Sequence, residues 1–127
     1  MPAAKFKFIV SSSDSLQGFE AENLLSDGRA RTKWKGKAGV PMNSVILQMD
    51  REHLISSIDV GNESSALIEI LVAKSCEYQP IYHTIVPSSS FMNPIESRSS
   101  KNCNRVRMFS SFDMIPAVSK QKWDLIK

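Results

Sequence analysis

Apolar residues recur at every second position in several short runs of this chain, and a period of two is what a strand with one buried face requires. Phe6, Phe8 and Val10 alternate with Lys5 and Lys7, which predicts a half-buried first strand. Val45-Ile46-Leu47-Gln48-Met49 reads as a second, and Leu54 to Val60 as a third, stopped by Gly61-Asn62. The run from Ala66 to Val72 has the clearest pattern. Ile68, Ile70 and Val72 make one wholly apolar face, expected in the core, and Leu67, Glu69 and Leu71 make the other. That second face is an apolar strip bearing one carboxylate, either half covered by another element or turned to a partner. Ile81 to Val86 follows, with Tyr82, Thr84 and Val86 on one side.

From Ser88 to Asn102 the chain turns polar. Its Ser, Asn and Pro residues hydrogen-bond their own backbone or fix φ, which predicts a long surface loop. Alternation returns in Asn104-Arg105-Val106-Arg107-Met108-Phe109, placing Val106 and Met108 toward the core and Arg105, Arg107 and Phe109 on the opposite face. Two guanidinium groups at i and i+2 stand roughly 7 Å apart, and each offers a planar fork suited to phosphate or carboxylate. A solvated strand face is the plainer reading of the same residues. A short helical turn is expected at Glu20 to Leu25, ended by Ser26-Asp27-Gly28. After a loose segment through Pro116 comes an amphipathic piece, Trp123 to Ile126. About six or seven short strands separated by turn signals argue for an all-β sandwich.

The 127 residues fit one domain, 1–127, and a 42% hydrophobic content suits a globular chain. A net charge of +3 permits a polyanionic partner without requiring one. Its distribution is more informative. Arg29, Arg31, Lys33, Lys35 and Lys37 alternate around Trp34, and Lys101, Arg105 and Arg107 form a second cluster. Cys76 and Cys103 have no metal-ligand spacing and no further partners, so a reducing compartment is expected. The N-terminal residues carry no apolar run of signal-peptide type, and no segment is long and apolar enough for a membrane span, which favours an intracellular protein. Chemistry is sparse. His53 and His83 lie on unrelated segments, and neither a nucleophile elbow nor a phosphate-cradling Gly-rich loop is present, so no catalytic residue, metal or cofactor is expected.

Glu22-Asn23-Leu24-Leu25-Ser26-Asp27-Gly28, Thr32-Lys33-Trp34 and Ser57-Ile58-Asp59-Val60-Gly61-Asn62 resemble the opening of galactose-binding-like, discoidin-type jelly-roll domains. More narrowly, Ser90-Phe91-Met92, Pro94, Glu96-Ser97-Arg98-Ser99, Asn104-Arg105-Val106-Arg107-Met108-Phe109 and Lys122-Trp123-Asp124 resemble the family of N-terminal domains of X-ray repair cross-complementing protein 1, the scaffold of DNA single-strand-break repair. The resemblance implies a galactose-binding-like (jelly-roll) β-sandwich without enzymatic activity. It also implies a paralogue carrying only this domain, truncated at the C-terminus so that the family's last strand or strands are missing. Such a protein would bind DNA polymerase beta and nicked or gapped DNA in the nucleus, in single-strand-break and base-excision repair. By matching positions, Leu67, Glu69, Thr84, Arg107 and Lys127 would meet the polymerase. The cations for DNA would be Arg98 and Arg105, together with the run Arg29, Arg31, Lys33, Lys35 and Lys37.

Three departures from the family pattern qualify this expectation. Ser12 and Glu20 stand where the family has a redox-linked cysteine pair, which excludes a disulfide switch of that kind. Leu67 replaces an aromatic residue and Thr84 an apolar one, each expected to weaken polymerase binding by on the order of 1 kcal/mol. The alternative is a discoidin-like module for a glycan or anionic lipid, motivated by Asp27-Gly28 and Trp34.

Overall fold

The apolar alternation is realised as strands. The computed structural model describes residues 5–15, 17–25, 34–36, 42–63, 67–90 and 104–127. Among these lie β1 (Phe6–Ser12), β2 (Val45–Leu54), β3 (Ser57–Glu63), β4 (Leu67–Ala73), β5 (His83–Ser90), β6 (Asn104–Ser110) and β7 (Lys122–Ile126). One sheet has the order β1-β2-β7-β4-β5, and β3 pairs with β6 in a second. Every ladder is antiparallel. The result is a β-sandwich, as the spacing of strands and turns predicts.

The two sheets meet over one apolar cluster. Ile70 and Val72 of β4, Ile85 and Val86 of β5, Phe109 of β6 and Trp123 of β7 are buried together with Met114, and Ile58 and Val60 of β3 pack against them. Ile85 and Val86 both turn inward although they are neighbours. Ile70 faces Val86 while the next β4 residue, Leu71, faces Thr84, so Ile85 is the extra residue of a bulge. Pro87 is accommodated in β5 because this strand is at the sheet edge, where its missing N–H is not needed by a neighbour. A smaller cluster of Ala21, Val45 and Leu47, flanked by Ile9, Leu25 and Trp34, lies at the β1–β2 end. Ala21 to Leu25 form the expected helical turn, in 3-10 geometry.

Several expectations are corrected. In β1 it is Ile9 that faces the small cluster, opposite Leu47, while Phe6, Phe8 and Val10 are 40%, 50% and 48% exposed. Register shifts between Phe6 and Phe8 and between Ile9 and Ser11 break the expected alternation: Phe6 stands opposite buried Met49, and Phe8 opposite Gln48. The strand expected from Leu54 to Val60 divides in two: β2 runs on to Leu54, and β3 begins at Ser57. Ser88 to Ser90, expected in a loop, complete β5. Thr84 and Val86 do not share a face, because the bulge at Ile85 intervenes.

β6 is inverted relative to its expected orientation. Phe109 is wholly buried and Met108 is 67% exposed. The cause is the partner strand: Ile58 and Val60 of β3 face the core, and their cross-strand partners are Phe109 and Arg107. A buried phenyl ring removes more apolar area from water than a thioether does, which decides between the two faces. Arg107 therefore lies on the core-facing side of β6 and reaches water at the rim, its side chain 40% exposed.

Candidate partner-binding surface

β4 carries the strip of interest because its two faces differ so sharply. Ile70 and Val72 are buried, which turns Leu67, Glu69 and Leu71 to the outer side; Leu67 is 63% exposed and Glu69 is exposed. Among the described residues, no salt bridge reaches the Glu69 carboxylate.

Two neighbouring strands widen this strip. Leu71 and Lys127 exchange backbone hydrogen bonds, each 2.9 Å, and Leu71 also stands opposite Thr84 of β5. Lys127, Leu71 and Thr84 thus form one row across three strands. The Lys127 ammonium lies 5.4 Å from the centre of the Tyr82 ring, a cation-π contact that orients it over β5. Burial pushes the Tyr82 phenol up from its ordinary value.

At the other end of β4, roughly 13 Å away by strand rise, Leu67 stands opposite Ser90. The Arg107 Nη1 donates to the Ser90 carbonyl at 3.0 Å. Its guanidinium also stacks over Phe109, 4.7 Å from the ring centre, and its Nη2 is 3.9 Å from Asp113 Oδ1. Asp113 is held in turn by a capping box, with the Ser110 N–H donating to Oδ2 at 2.9 Å.

The structure therefore gathers Leu67, Glu69, Thr84 and Lys127 on the outer face of the large sheet, with Arg107 joined to its margin through Ser90. Arg107 does not stand on the outward face of β6 where it was expected. The Arg105 side chain lies outside the described residues, although its backbone pairs with Asn62. Arg29, Arg31, Lys33, Lys37 and Arg98 also lie outside them. Lys35 is described: its ammonium sits 4.8 Å from the Phe19 ring, beside Trp34, at the β1–β2 end. It stands at the opposite edge of the large sheet from Leu67. Trp34 is half-buried against the small cluster and donates from Nε1 to Ser15 Oγ at 3.1 Å.

Asp113 is absent from the residues that the sequence points to, and Ser90 and Tyr82 have no site role among them. Ser110-Ser111-Phe112-Asp113 carries the Ser-x-x-Asp spacing of a capping box, which would have marked Asp113. Nothing local in the sequence reveals that the Ser90 carbonyl meets Arg107.

His83 stacks against Trp123 at 5.3 Å between ring centres, and His53 pairs with exposed Asp50 at 2.7 Å. That hydrogen bond is the main reason the Asp50 carboxyl is held below its ordinary value. An open depression lined by Arg51, Glu52, His53, Leu54 and Lys122 mixes both signs of charge. Among the described residues, no group of three or more His, Cys, Asp or Glu side chains is arranged to hold a metal, and no helix is long and apolar enough to cross a membrane.

The model of the XRCC1 N terminal domain matches residues 1–127. The chain belongs to this family. It is 41% identical to the human DNA repair protein XRCC1 over 130 residues, covering all of this chain and 20% of the human protein. The rat protein of the same name is 39% identical over 132 residues. The chain thus spans about a fifth of the length of the curated relatives it matches. Among solved XRCC1 structures, reduced XRCC1 bound to the DNA pol beta catalytic domain superposes with a TM-score of 0.90 at 39% identity, covering 98% of this chain and 83% of that one. The solution structure of the XRCC1 N-terminal domain gives 0.87 at 40% identity, covering 99% and 85%.

Proposed function

We propose that this chain is a non-enzymatic interaction module of single-strand-break and base-excision repair, working in the nucleus. Its outer sheet face, centred on Leu67 and Glu69 and flanked by Thr84 and Lys127, docks a DNA polymerase of the beta type at nicked or gapped DNA. One observation carries the reading: the relative that superposes at a TM-score of 0.90 was solved bound to the DNA pol beta catalytic domain. The exposed strip supplies the physical means. Covering an exposed leucine contributes about 1.5–3 kcal/mol at most, and an exposed carboxylate selects a basic or hydrogen-bonding counterpart and sets register.

A direct contribution to DNA binding is assigned to the basic run and to Arg98 and Arg105. Affinity for a nicked duplex is then expected to fall steeply with salt and to survive Leu67→Arg. The glycan or lipid reading loses its aromatic element, since Trp34 is spent on the small cluster.

Titration of the chain against the catalytic domain of polymerase beta tests the proposal. Binding that Leu67→Arg weakens roughly thirtyfold or more without moving the melting temperature is the expected result. No detectable binding of the wild-type chain at high micromolar concentration removes the polymerase from the reading.

A further inference from the structure

We draw no further inference here: the strongest candidate, the exposed apolar patch of Phe6, Phe8 and Val10 on β1 at the end of the large sheet, is split between the two sides of that sheet, because Phe6 stands opposite Met49 and Phe8 opposite the adjacent Gln48, and nothing in the structure shows what covers either side.

Discussion

The two ends of the large sheet are built from the same alternating pattern but not to the same depth. At the β4–β5–β7 end, Val72, Ile85 and Val86 are wholly buried, and the second sheet covers them with Phe109, itself wholly buried. At the β1–β2 end the cluster is Ala21, Val45 and Leu47, covered by a 3-10 turn and a half-buried tryptophan, while three apolar side chains of β1 remain open to water. Since apolar burial is the main favourable term in folding, stability is concentrated in the first region. The proposed docking strip sits on the back of that better-packed end. A rigid support suits a surface whose side chains must be presented in fixed register.

Phe109→Ala is the most severe test of this contrast. Removing a wholly buried ring between the sheets costs about 3–5 kcal/mol, and the melting temperature should fall by on the order of 10 °C or more. A shift of only a degree or two would mean that the sandwich core does not carry the fold.

Leu67→Arg comes next in size, and it acts on binding instead of stability. At 63% exposure the side chain contributes little to packing, yet a charge at the centre of an apolar contact should cost on the order of 2 kcal/mol or more, roughly thirtyfold in affinity. Lys35→Glu, at the far edge, should leave polymerase affinity unchanged. If the two substitutions weaken binding equally, the partner does not distinguish the two ends.

Much of this architecture can be read directly from the chain, and the exceptions have physical causes. Ile68, Ile70 and Val72 point to the core because their alternation is uninterrupted and the opposite face carries a carboxylate. Glu69 and Leu67 were identifiable for the same reason. β6 was misjudged because Arg-Val-Arg-Met-Phe offers apolar residues of both parities, and only the pairing with Ile58 and Val60 selects Phe109. In β1 the alternation of Phe6, Phe8 and Val10 does not survive pairing with β2, because two register shifts change which residues share a face, and only the partner strand shows them. The bulge at Ile85 breaks the period locally, and so Thr84 could be placed correctly only from register. Arg107 meeting Ser90 is a contact between sheets, invisible to any reading of one strand.

Asp124 provides a test of intermediate size. This central-strand carboxylate is 8% exposed. It accepts the Ser75 N–H at 2.8 Å, the Ser75 hydroxyl, and Gln48 Nε2 at 2.9 Å. Burial raises its pKa, but the Ser75 and Gln48 hydrogen bonds together outweigh burial and hold it below the ordinary 3.8. A carboxyl depressed on folding adds stability that is present above its ordinary value and is lost as pH falls through the lowered one. Asp124→Ala should therefore cost about 1–3 kcal/mol at neutral pH, where Ser75 and Gln48 are left unpaired. As pH falls below the ordinary 3.8 and through the lowered value, the gap between variant and wild type should narrow. Melting curves across pH 2 to 7 check both statements, and a constant gap at all pH values would show that the ionised form is not what matters.

Phe8→Thr is the smallest change, and it bears on the weaker end. Phe8 lies opposite Gln48 on the outer face of the sheet and is half exposed. Half-burial of a phenyl ring is worth about 1 kcal/mol, and threonine recovers part of that through its preference for strands. The melting temperature should drop by no more than a few degrees, a small fraction of the Phe109→Ala effect, with affinity for the polymerase unaltered. Equal losses from Phe8→Thr and Phe109→Ala would mean that the β1 face is covered in solution by something as close-fitting as the core, and the asymmetry between the two ends would disappear.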